Sequence, residues 1–154
     1  MPQVNVVERK HVPKLDRGLL AGLVAGAVVW AWALLIGALG SGAAADYGSF
    51  VSASVLGPDA LDSPGFGLDW LVGSAVHFVV WALIGIVWAL LWPKLRKYGV
   101  LSTSLLFALA AYVVVVQIIG RLIDPEMVSA LGVTGLLFGY LFGGLAFAFR
   151  YRTE

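Results

Sequence analysis

Long stretches without any charge alternate along this chain with short segments that carry nearly all of it. Uncharged runs of 23 residues occupy Gly18–Gly40, Trp70–Trp92, Tyr98–Gly120 and Met127–Phe149. At about 1.5 Å per residue, such a run makes a helix of about 34 Å, enough to cross a hydrocarbon core of about 30 Å with some tilt. The first run follows Asp16-Arg17. The link Pro93–Lys97 between the second and third is tight, which predicts those two helices as antiparallel neighbours. Arg121–Glu126 is also short, and Asp124-Pro125-Glu126 suits the start of a fourth helix. The predicted fold is an all-α membrane protein, an antiparallel four-transmembrane-helix bundle. Residues 1–17 and 151–154 are its tails, and 18–150 form a single membrane domain.

The one long connection, Ser41–Asp69, has 29 residues, and connections above about 12–15 residues usually carry function or lack order. Within it Tyr47, Phe50, Val51 and Val55 recur at helical spacing behind Asp46. That stripe predicts a short helix lying at the membrane surface. Gly57-Pro58 and Ser63–Gly67 read as turns.

Composition agrees with the pattern. The chain of 154 residues is 60% apolar and 12% charged, with mean hydropathy +0.93, against about 25% charged residues in a soluble domain. Nine of the ten basic residues cluster before the first run (Arg9, Lys10, Lys14, Arg17), between the second and third (Lys94, Arg96, Lys97) and after the fourth (Arg150, Arg152). Six acids, Asp46, Asp59, Asp62, Asp69, Asp124 and Glu126, fall on the opposite side, with Arg121 the one basic residue there. The positive-inside rule then predicts both termini in the cytoplasm of a multi-pass protein, and the membrane expected is a prokaryotic cytoplasmic one. The basic clusters suit anionic lipid headgroups, and nothing in them indicates nucleic acid. With no cysteine, disulfides and thiolate chemistry are excluded. Ala43–Ala45 resembles a signal-cleavage site, but the apolar run before it exceeds a signal peptide's, so an uncleaved anchor is expected.

Small residues recur every fourth position: Gly18, Gly22 and Gly26 in the first run, Gly135, Gly139 and Gly143 in the fourth. In lipid, helices associate through close backbone approach, so these ridges are expected to pack helices together or against another subunit. A third stripe, Gly73, His77, Trp81, Gly85 and Ala89, lies on one face of the second run. A shift of 59 residues aligns Gly73 with Gly132, Gly85 with Gly144 and Ala89 with Ala148, the trace of a duplicated hairpin.

Polar groups inside the runs are few: His77, Gln117, some serines and threonines, Tyr112 and Tyr140. No Asp, Glu, Lys or Arg lies within any run, which argues against a pump or coupled transporter. His77 stands seven residues into its run, about 10 Å from the outer end. Gln117 falls at comparable depth, Arg121 one turn beyond it and Asp124 three residues after that, so these four are expected to form one polar cluster near the outer surface. Two readings of His77 compete. In one it hydrogen-bonds a carbonyl or Gln117 across a helix interface. In the other it ligates haem or a chlorin, or holds a quinone together with Gln117 and Arg121, with Gly73 leaving room one turn away. A bis-histidine haem would need a second intramembrane histidine, and His11 lies in the tail on the other side. Trp70 and Trp92 bracket the second run as aromatic-belt residues, whereas Trp30, Trp32, Trp81 and Trp88 lie deeper, where packing is expected.

The glycine-rich opening GLLAGLVAGAVVW and the later AVHFVVWALIGIVWALLW resemble a class of uncharacterised small four-helix membrane proteins of bacteria and archaea. The resemblance covers most of residues 18–150 and implies architecture without chemistry. In that class the last helix often bears a further histidine; here Leu136 and Leu137 stand in the register of His77 and Phe78. The class also resembles accessory subunits of respiratory or photosynthetic complexes.

Together these features predict a non-catalytic structural or accessory subunit that packs against other membrane subunits or itself, with the bilayer as solvent and no resident cofactor. No nucleophile–base or metal-ligand constellation indicates an enzyme. The alternatives are a haem-, chlorin- or quinone-binding subunit using His77, and a small channel or transporter.

Overall fold

The computed structural model describes residues 14–40, 46–62, 65–123 and 133–152. Among them every regular element is helical. Helix α1 runs Leu15–Gly40, α2 Asp46–Leu56, α3 Leu68–Leu95, α4 Val100–Tyr112 and α5 Val133–Tyr151. Short 3-10 turns occupy Pro58–Asp62 and Arg96–Tyr98. Three helical stretches, Leu15–Leu39, Leu68–Tyr98 and Val100–Gly120, are long and apolar enough to cross a membrane. The opening residues of the fourth predicted run, together with Asp124 and Gly132, lie outside the described residues.

Packing follows the small residues. Gly22 faces the carbonyl oxygen of Trp81 and the Cα of Gly85, while Gly85 faces the Gly18 carbonyl and the Gly22 Cα. A side chain at either position would meet backbone, so α1 and α3 touch main chain to main chain. Helix α5 lies along another side of α1. Gly139 stands against Trp32 and Val29, Gly143 against Val29 and the Trp81 ring, and the Trp32 indole donates to the Gly135 carbonyl at 2.8 Å. Helix α4 closes on α5, where Gly144 meets Ala108 and the Ser104 carbonyl. All these contacts are antiparallel. They gather Lys14 and Arg17, Lys94–Lys97, and Arg150 and Arg152 at one end, called here the basic end.

The tight link between α3 and α4 does not make them close-packed neighbours. Their backbones stand apart, and large rings bridge the gap, Trp88 to Phe107 at 5.0 Å between centroids. Trp88 also packs on Phe147 at 5.7 Å and on Trp92 at 5.3 Å, and Trp92 on Tyr151 at 5.3 Å. Trp92 is therefore a core residue, 4% exposed, rather than an aromatic-belt residue. Its ring is buried by edge and tilted contacts with Trp88 and Tyr151 in the wedge between the splayed helices.

Beyond Tyr112 the chain of α4 continues as a π-helix over Val113–Gly120 and ends in a turn, Arg121–Ile123. Its wider ladder stacks residues five apart, and Gln117 Nε2 there donates to the hydroxyl of Tyr112. The outward faces of the helices are apolar along their length: Val79, Leu83 and Val87 on α3, Leu101, Leu106 and Leu109 on α4.

Candidate functional site

His77 comes from the middle of the α3 stripe and points into the seam between α1 and α3, where it is 4% exposed. Its Nε2 lies 2.9 Å from the Gly26 carbonyl oxygen. A carbonyl can only accept, so Nε2 carries the proton and donates. Gly26 makes this contact possible, because the absent side chain leaves its carbonyl within reach of a facing helix. The same gap admits Trp81, whose Cβ lies 2.8 Å from where a Cβ of Gly26 would stand.

The other ring nitrogen, Nδ1, is then the acceptor, and the hydroxyl of Tyr47 lies 3.4 Å from it. Tyr47 belongs to α2, thirty positions earlier in the sequence. Helix α2 is seated on α3 by a second glycine pair. The open face of Gly73 receives the backbone of Gly48 and Ser52, and Gly48 faces the Trp70 indole. Trp30 sits 4.7 Å from the imidazole between ring centroids, 5.1 Å from Tyr47 and 5.6 Å from Trp70. Phe78 and Trp81 complete the enclosure at 5.3 and 6.2 Å from the imidazole. Burial in this setting pushes the Tyr47 phenol well above its ordinary pKa, because the phenolate would lose its hydration.

Several sequence expectations change here. The space beside Gly73, expected to leave room for a flat ligand, is filled by the backbone of α2. Gln117 does not meet His77. It bonds Tyr112 within its own helix, and Arg121 Nε donates to Gln117 Oε1 at 3.0 Å. The expected cluster of His77, Gln117 and Arg121 therefore resolves into two separate groups, and Asp124 lies outside the described residues. The π-helical winding accounts for part of this, since it turns Gln117 back over Tyr112. Helix α2 uses only part of the expected stripe, with Tyr47 in the core and Val51 packed against it. Tyr47, Gly48, Ser49 and Ser52 are buried, whereas Val55 is 62% exposed. The Ser52 hydroxyl bonds the Ser49 carbonyl at 2.8 Å, which satisfies it inside the contact.

Sequence reasoning missed Tyr47 as the partner of His77 and Gly26 as the residue whose carbonyl accepts from it. A signal for the second existed, since a glycine ridge exposes carbonyls as well as allowing close approach. For Tyr47 the sequence offered only its place in a helical stripe. Chemically, the arrangement joins three helices through one neutral imidazole that donates to one and accepts from another. Comparison with protein-family models, curated proteins and solved structures finds no match to this chain, so its residues alone carry the functional reading.

Proposed function

We propose that the chain is a four-span integral membrane protein of the cytoplasmic membrane with both termini inside. In this reading it is a non-catalytic packing subunit, joined to a larger membrane assembly or to further copies of itself. One observation carries the reading. The most distinctive polar group in the apolar helices, His77, has both ring nitrogens directed at the protein's own Gly26 and Tyr47. The glycine faces and aromatic rings around it meet other parts of the same chain, which supports a latch between helices over a ligand-binding role. The gathering of basic residues at one end supports the orientation.

Carbonate extraction and single-cysteine labelling test the membrane reading. The native chain has no cysteine, so Lys97→Cys and Asp62→Cys should label from opposite sides of sealed vesicles; labelling from one side would reject the topology. Light scattering in mild detergent then tests the subunit reading. A defined complex larger than one chain is expected, and a lone monomer in every detergent would overturn it. A Soret or near-infrared band lost in His77→Ala would instead make His77 a ligand.

A further inference from the structure

At the basic end the splay of α3 and α4 leaves a wedge that the Trp88–Phe107 pair closes from within. Outside that pair an open cavity of about 380 Å³ remains, lined by Leu95, Tyr98, Thr103, Leu106 and Phe107. Small-ligand pockets run to about 300–1,000 Å³, so the space is large enough to hold part of a molecule. The Thr103 hydroxyl is turned to the Gly99 carbonyl at 2.6 Å, which leaves the wall of the cavity apolar. Leu106 and Tyr98 are 65% and 63% exposed, so the cavity opens on the outward surface of the helices.

Its rim has the opposite character. Lys94, Arg96 and Lys97 fall within four consecutive positions beside it, all three exposed and with no acid among them. Lys97 Nζ rests 4.8 Å above the Tyr98 ring, which holds one ammonium at the mouth. Gly99, at φ +90°, makes the turn that brings this rim back over the start of α4. An apolar slot under a cationic, aromatic rim matches a molecule with a hydrocarbon chain below an anionic head.

We infer that this wedge binds one anionic phospholipid, its acyl chain against Leu95, Leu106 and Phe107 and its phosphate at Arg96 and Lys97. The inference rests on the membrane reading above, which extraction tests independently. Each basic residue at an anionic surface strengthens binding about fivefold, so a preference of about tenfold or more over a zwitterionic lipid is expected.

The experiment is native mass spectrometry of the full chain, delipidated in detergent and titrated with phosphatidylglycerol or phosphatidylcholine. One phosphatidylglycerol per chain should be retained in preference. The Arg96→Gln/Lys97→Gln pair should bring the two lipids to equal retention. Leu106→Trp, which fills the slot, should weaken both, while Leu109→Trp on the outward face of the same helix should change neither. Equal retention by the native chain would overturn the inference, and so would undiminished phosphatidylglycerol retention in Leu106→Trp. If the double variant fails to fold, Lys97→Gln alone should lower the preference about fivefold. A protein that extracts as integral yet shows no preference loses the lipid site and keeps the membrane reading.

Discussion

Helices α1 and α3 form one antiparallel pair and α4 and α5 another, and the two pairs close at matching positions. Gly85 and Gly144, 59 positions apart, each face the earlier helix of their own pair. The surfaces they meet are Gly18 and Gly22 in the first pair, and Ser104 and Ala108, 86 positions on, in the second. Farther along, the same offsets set Gly26 against Tyr112, His77 against Leu136 and Trp81 against Tyr140. In the first pair glycine bares a carbonyl, and an imidazole bonds it. In the second, tyrosine covers that position and packs on Tyr140 at 5.6 Å, and the facing residue is the buried Leu136. A buried polar side chain is tolerated where a bare carbonyl answers it; where none does, an aliphatic one stands. Of the residues that the 59-residue shift aligns, Gly85 and Gly144 both stand at a helix contact, against different neighbours.

The largest contrast expected is between Gly85→Ala and Gly144→Ala. At Gly85 the added methyl meets backbone on α1, which cannot move without shifting the helix. At Gly144 the added methyl meets the Ala108 Cβ at 2.8 Å and the Ser104 carbonyl oxygen at 3.0 Å, a shallower overlap than the 2.1 Å to the Gly18 carbonyl oxygen at Gly85. Overpacking costs about 1–3 kcal/mol, so Gly85→Ala should lie at the upper end of that range and Gly144→Ala near the lower. Denaturation by sodium dodecyl sulfate in mixed micelles measures both, and equal costs would show that the pairs are not packed differently.

Leu136→His tests whether the second pair can host a latch. With Tyr112 covering the facing turn, the imidazole should go unpaired and cost about 2 kcal/mol. A neutral or stabilising result in the same titration would mean the carbonyl is not what decides the residue. His77→Ala comes next. Interhelical hydrogen bonds in membranes are worth about 0.6 kcal/mol on average and up to about 1.7, to which lost packing against Trp30 adds.

Tyr47→Phe should cost only about 0.5 kcal/mol, because its 3.4 Å bond is long. Its sharper readout is a double-mutant cycle with His77→Ala, where coupling is expected. The matching cycle of Gln117→Leu with His77→Ala should show no coupling, since the two side chains belong to different groups. Coupling there, and none at Tyr47, would reverse the assignment of the latch.

Much of the fold was legible because charge and glycine leave marks in one dimension. The helix at Asp46–Leu56 corresponds to an element of the structure, whereas α1 already starts at Leu15, before Asp16-Arg17, and α3 runs through Pro93 to Leu95, so that the link is the turn Arg96–Tyr98. The partners of His77 left no such mark. Gln117 lay at a plausible depth, but the π-helical turn redirected it, and nothing in Val113–Val116 announces that winding. Trp92 read as a rim residue from its place at the end of a run, whereas the splay between α3 and α4 drew it inside.

The sequence by itself determined where helices could form and which faces could approach closely, because hydropathy and the absence of a side chain are local properties. Only the tertiary structure decided which surface fills each small-residue gap: Gly73 takes the backbone of α2 and Gly26 takes Trp81 and His77. Those choices depend on helix spacing and rotation, which are set jointly by every contact along two helices and so cannot be read from either one alone.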